Sequence, residues 1–124
     1  MLNQNTAAET SLELKPAMQL KFEDLMTEQL QGTENTEVVV SITTVPPHTT
    51  LPKHWHPGEE FAYVLDGSFV LMQEGKADEY FQEGDVGKVP LKQVHTVRTE
   101  EESATILIFR VHELGQPGRI LVEE

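Results

Sequence analysis

A chain of 124 residues, 24% charged and 38% hydrophobic, has the size and composition of one globular domain with its own core. Asp and Glu outnumber Lys and Arg by 21 to 9, giving a net charge of −12. That excludes nucleic acid as a partner, since phosphate binding needs a lysine or arginine footprint, and it argues against anionic membrane surfaces. There is no cysteine, so disulfides, thiol catalysis and thiolate metal sites are excluded as well.

Residues 1–14 are polar with scattered leucines and no clear period, and they read as an N-terminal arm ahead of a single domain over 15–124. Ala17 to Phe22 has the composition of a short strand. Glu23 to Leu30 lacks an apolar stripe and is expected to be a loop with at most one helical turn. Glu37 to Val45 (EVVVSITTV) is dense in β-branched residues and predicts a strand, which Pro46-Pro47 ends. Phe61 to Leu65 and Ser68 to Gln73 flank Asp66-Gly67, the signal of a two-residue type I′ hairpin. Turns at 74–77 and 83–85 bracket a strand from Asp78 to Gln82. Val86 to Val89 stops at Pro90, Val94 to Thr99 follows, and Ala104 to Val111 is the most hydrophobic strand. Gly115, Pro117 and Gly118 then predict a surface wrap before a last strand, Arg119 to Val122. Many short strands with close turns and hardly any helix make this an all-β antiparallel sandwich or small barrel. No N-terminal basic and apolar regions mark a signal peptide, and no run approaches the ~18 apolar residues of a membrane span, so a cytoplasmic location is the default.

The most informative residues are His54, His56 and Glu60, with His95 further along. On an extended strand, side chains two apart share a face roughly 6–7 Å from one another, so His54 and His56 stand side by side while Trp55 faces away. Pro57-Gly58 lets the chain turn before Glu60 opens the next strand. His95, brought in on a neighbouring strand, completes three imidazoles and a carboxylate around one divalent ion, a set that suits first-row transition metals. H-x-H pairs also occur by chance on solvated strands; Glu60, the Asp66-Gly67 turn and His95 together weigh against that. A bound dication offsets the acidic field locally, so an anionic ligand at the site is allowed.

Strand alternation places Ala62 and Val64 on the Glu60 face, and Val97 and Thr99 on the His95 face, as pocket lining. Phe61, Tyr63 and Leu65 point the other way, toward core or dimer packing. His48 reads as a surface histidine, with a pocket-rim role as the alternative, and His112 as solvated beside Glu113.

At these residues the chain resembles a cupin, and the stretch HWHPGEEFAYVLDGSF is similar to small single-domain bacterial members. The family's first motif is glycine, five residues, H-x-H, three or four residues, glutamate, six residues, glycine; His54, His56, Glu60 and Gly67 match it. The second is glycine, five residues, proline, x, glycine, two residues, histidine, three residues, asparagine; Gly84, Pro90 and His95 match it. Three positions depart: His48 and Lys92 replace glycines, and Thr99 replaces the asparagine. None is a ligand in the family, although Lys92 implies a changed turn before His95.

The resemblance implies a jelly-roll β-barrel, one divalent ion of iron, manganese, nickel, zinc or copper on His54, His56, Glu60 and His95, and a homodimer in which the N-terminal arm is exchanged. It also implies dioxygenase, decarboxylase, isomerase or lyase chemistry. With no separate general base visible, oxygen-dependent cleavage of a small oxygenated molecule ranks first, and a non-catalytic small-molecule or metal binding module is the alternative.

Overall fold

A computed structural model describes residues 19–123 and contains nine β-strands. They are β1 (Lys21–Gln29), β2 (Thr36–Val45), β3 (His54–Trp55), β4 (Glu59–Gln73), β5 (Glu79–Gln82), β6 (Val86–Val89), β7 (His95–Arg98), β8 (Ala104–Glu113) and β9 (Ile120–Leu121). All pairings are antiparallel. One sheet runs β1-β2-β8-β4-β6 and the other β5-β4-β7-β3-β9, with β4 common to both. This is a jelly-roll barrel, as the strand pattern and the resemblance imply. The arm expected over 1–14 lies outside the described residues. Among the described residues no helix is long and apolar enough to cross a membrane.

Alternation explains the barrel wall. β2 alternates half-buried and buried residues with period two from Val38, sending Val39, Ser41, Thr43 and Val45 inward. β8 sends Ala104, Ile106, Ile108 and His112 inward. The core is one buried cluster of Val64, Phe69, Leu71, Phe81, Val89, Ala104, Ile106 and Ile108. Phe69 and Phe81 stack there with ring centroids 5.2 Å apart.

Two elements differ from expectation. Residues 23–29, expected to be loop, belong to β1, which pairs with β2 from Lys21 to Gln29. Every residue of β1 is exposed, so it carries no buried stripe to read; its backbone pairing with β2 makes it a strand. Asp66-Gly67 makes no hairpin. β4 continues through it, with a register slip against β8 between Val64 and Asp66. A type I′ turn needs positive φ at both central residues, and here only Gly67 has it, at 80°. A methyl group on Gly67 would stand 1.7 Å from the Ser103 carbonyl oxygen. This is a bulge that bends one long strand from the first sheet into the second.

Candidate metal centre

The shared strand β4 and the paired strands β3 and β7 bring the four predicted donors to one place. His54 and His95 are direct cross-strand partners. Glu60, the second residue of β4, faces inward beside them. All four side chains are buried, none more than 7% exposed. One ring nitrogen from each of His54, His56 and His95 lies within 4.8 Å of the other two. Glu60 Oε1 stands 3.1 Å from His56 Nε2 and 3.3 Å from His95 Nε2. The rings are splayed rather than stacked, with interplanar angles of 72°, 60° and 49°, so their edges converge.

The tautomers follow from the backbone. His54 Nδ1 donates to the Pro52 carbonyl at 2.8 Å, and His95 Nδ1 to the Gln93 carbonyl at 2.8 Å, each two residues upstream. His56 Nδ1 donates to the Gly118 carbonyl at 2.9 Å. A carbonyl oxygen only accepts, so each Nδ1 carries the hydrogen and each neutral ring offers Nε2 as a lone pair. These lone pairs face a carboxylate, which is also an acceptor. His56 Nε2 is fully buried and, despite its 3.1 Å approach to Glu60, has no hydrogen bond of acceptable geometry. Acceptors crowded this closely repel one another, and a cation between them reverses the sign. The donor set therefore fits a divalent first-row metal, with backbone carbonyls orienting the three imidazoles.

Electrostatics agree. Burial first, then the neighbouring His95 and His56, pull the His54 pKa down to about 4 against the raising effects of the Pro52 carbonyl and Glu60. The ring stays neutral and able to ligate in mild acid. Burial pushes the Glu60 carboxyl up, but hydrogen bonding and positive charge at the His56 and His95 positions outweigh this and hold it well below the usual carboxylate range, the same effect a cation held between these groups exerts. It stays ionised.

The four donors sit in the wall of a cavity of about 440 Å³ inside the barrel. Most of its remaining lining is apolar, including Leu51, Phe69, Leu71, Phe81, Val89 and Ile106. Ala62 and Val97 line it as alternation predicts, whereas Val64 and Thr99 are buried behind it. Phe61, Tyr63 and Leu65 are exposed on the outer sheet face, which removes core packing as their role.

His48 is exposed and lies outside the cavity lining, in line with the surface reading. His112 is not solvated: it is 5% exposed, and its Nε2 lies 3.1 Å from Glu37 Oε1 across the β2–β8 pair. β8 runs on past Val111, and the alternation that buries Ile106 and Ile108 carries His112 inward too. The turn before His95 keeps the shape glycine would give it, for Lys92 has φ 63° and its N–H donates to the His56 carbonyl at 3.2 Å. Arg110, Arg119 and Ser41 also line the cavity, and the sequence reading passed over all three. For Arg110 the signal was present, as a charged residue at inward parity in the most hydrophobic strand.

Fold and site together define a β-barrel class, the double-stranded β-helix with a three-histidine cluster in its cavity. The Cupin domain family matches residues 41–110, more than half of the chain, and the chain belongs to that family. No curated protein sequence matches it. Among solved structures it is similar to the DMSP lyase DddQ from Ruegeria pomeroyi, with TM-score 0.70 and 21% identity over 83% of this chain and 51% of the lyase. The chain thus spans about half the lyase's length. It is similar to the polyketide cyclase RemF from Streptomyces resistomycificus, with TM-score 0.61 and 22% identity over 90% of this chain and 87% of the cyclase. It is also similar to an RmlC-like cupin from Methanocaldococcus jannaschii, with TM-score 0.65 and 14% identity over 91% and 94% of the two chains. At these identities the likeness is one of fold.

Proposed function

We propose that the protein is a metal-dependent enzyme acting on a small oxygenated molecule, with His54, His56, Glu60 and His95 holding one divalent transition metal. The observation that carries this is the set of three Nδ1-anchored imidazoles whose Nε2 lone pairs converge with a buried carboxylate inside an apolar cavity. Such a metal supplies Lewis acidity and, where it is redox-active, electrons for dioxygen chemistry. The chain does the rest. The Pro52, Gln93 and Gly118 carbonyls hold the rings, Glu60 contributes the anionic donor, and the apolar wall excludes water from a bound molecule.

Oxygen-dependent cleavage ranks first among the possible reactions. Apart from the four donors, the charged groups lining the cavity are Asp24, Lys88, Arg110 and Arg119. Lys88 is engaged with Glu59 at 2.7 Å, and Asp24 is largely exposed. Neither is a buried base poised over the cavity, which favours chemistry centred on the metal. The lyase and the cyclase among the structural neighbours support catalysis on such a barrel in general.

The test is elemental analysis of the purified protein, reconstitution with Fe(II), and oxygen uptake across a panel of small enols, catechols and diketones. Metal retention near one per chain, with uptake, is the expected result. His54→Ala removes one donor and Glu60→Gln replaces the anionic donor by a weak neutral one; each should weaken metal binding by at least the 10- to 100-fold that loss of an outer-shell partner causes. Ligand binding without turnover under every metal tried would instead make this barrel a binding module.

A further inference from the structure

The cavity holds polar groups that metal binding leaves unused. Arg110 is the cross-strand partner of Glu60, so the two side chains leave neighbouring strands on the same face. Yet Glu60 turns to His56 and His95, and the nearest carboxylate oxygen to the Arg110 guanidinium, Asp24 Oδ1, is 4.0 Å away among the described residues. The Arg110 side chain is only 16% exposed, and its Nε is buried with no hydrogen-bond partner among the described residues. Ser41, 2% exposed and on the same inner wall, has an Oγ in the same condition. Arg119 brings a second guanidinium to the cavity. It lies 4.3 Å from the Phe22 ring and pairs with no carboxylate among the described residues.

Two arginines close together repel. Burial first, and the Arg110 charge second, lower the proton affinity of Arg119, as expected for like charges sharing a site. Arg110 is largely withdrawn from water with its nearest counter-charge 4.0 Å away on an exposed Asp24, a costly placement, and its buried Nε and the buried Ser41 hydroxyl on the same wall leave unmet hydrogen-bonding capacity. An anion entering the cavity removes both penalties. Guanidinium forks match carboxylate and phosphate alike. The net charge of −12 disfavours a dianion over a monoanion, and the apolar wall favours a hydrocarbon body.

We propose that Arg110, Arg119 and Ser41 form an anion-binding subsite beside the histidine cluster, and that the cavity takes a monocarboxylate with a compact apolar body. This deepens the enzyme reading above by naming the substrate class. The subsite recognises the carboxylate and directs the rest of the molecule along the apolar wall, within reach of the histidines.

The experiment is titration calorimetry on the full chain, metal-free and after loading with Zn(II), with metal content measured on every sample. The probes are butyrate, hexanoate and benzoate, their uncharged amides, and inorganic phosphate. At least one carboxylate is expected to bind about tenfold or more tightly than its amide. Arg110→Gln and Arg119→Gln should each weaken that carboxylate by about 10- to 100-fold, the range for a charge-assisted hydrogen bond, and leave the amide unchanged. Arg110→Lys should recover part of the loss. The subsite is overturned if no carboxylate outbinds its amide in either metal state, if the preference persists in both glutamine variants, or if phosphate binds more tightly than every carboxylate. An arginine-dependent preference in a protein that retains no Zn(II) after loading would refute the metal reading and leave the subsite standing.

Discussion

Lys92 and His48 carry backbone conformations that their side chains disfavour. Both have positive φ, 63° and 53°. Both stand where the cupin motifs have glycine, so the departures changed the side chain and kept the turn. Left-handed backbone costs an L-residue about 1–2 kcal/mol. Replacing either by glycine relieves this, while the freer unfolded chain takes back about 0.5–1 kcal/mol. Lys92→Gly and His48→Gly should therefore each stabilise by about 0.5 kcal/mol, seen as a rise of about 2 °C in Tm by calorimetry. Lys92→Val, β-branched at positive φ, should lower it. The third departure, Thr99, serves as an anchor: its hydroxyl accepts from the Thr49 N–H at 3.0 Å and donates to the Pro46 carbonyl. These bonds tie down the 46–50 turn that holds His48. Thr99→Val leaves both partners unsatisfied and should cost about 1–3 kcal/mol in denaturant unfolding.

At the scale of elements, β4 does the most to build the site. Its first half pairs with β8 and β6 and carries Glu60; its second half pairs with β7, which carries His95. The bend at Gly67 is what allows one strand to serve both sheets. Gly67→Ala forces a methyl group to within 1.7 Å of a backbone oxygen at a position with φ 80°. The expected cost is above about 3 kcal/mol, the upper end of ordinary single substitutions, and circular dichroism melts will register it. The same position shows what was legible in the sequence. Asp66-Gly67 announces a special backbone site, but a bulge and a hairpin place the same demand on that glycine. Only the partner strand decides between them, and the partner β8 lies far along the chain. The cluster of His54, His56, Glu60 and His95 was readable because its chemistry is in the side chains and three of its members fall within one short stretch, 54–60. The groups that fix the rings were not, because the Pro52, Gln93 and Gly118 carbonyls are backbone atoms with no residue signature. β1 was missed for a related reason, since an all-exposed edge strand has no buried period.

For the whole molecule, the buried histidine cluster couples folding to acid. The His54 pKa is about 4 in the folded chain against 6.5 in its ordinary state. Between those values the unfolded chain binds a proton that the folded ring refuses. Stability is therefore fully present above pH 6.5 and falls as the pH drops toward 4, by about 1.4 kcal/mol per unit and about 3 kcal/mol in all for this ring. Glu60 acts in the same direction at lower pH: its depressed carboxyl favours folding above its ordinary pKa of 4.5, and that contribution is lost with further acid. The metal-free protein should accordingly unfold in acid with a stability slope that begins between pH 6 and 7. His54→Leu removes the ring's proton linkage, so its denaturation midpoint should be flatter across pH 6.5 to 4 than that of the parent. A bound divalent metal deepens the dependence, because the protons that destabilise the fold also compete for the donors. Urea midpoints measured from pH 7.5 to 4, with and without Zn(II), should diverge most at neutral pH and converge in acid. Parallel curves for the parent and His54→Leu would show that His54 does not resist protonation in the folded chain, and with that the neutral lone pair on which the donor cluster depends would be gone.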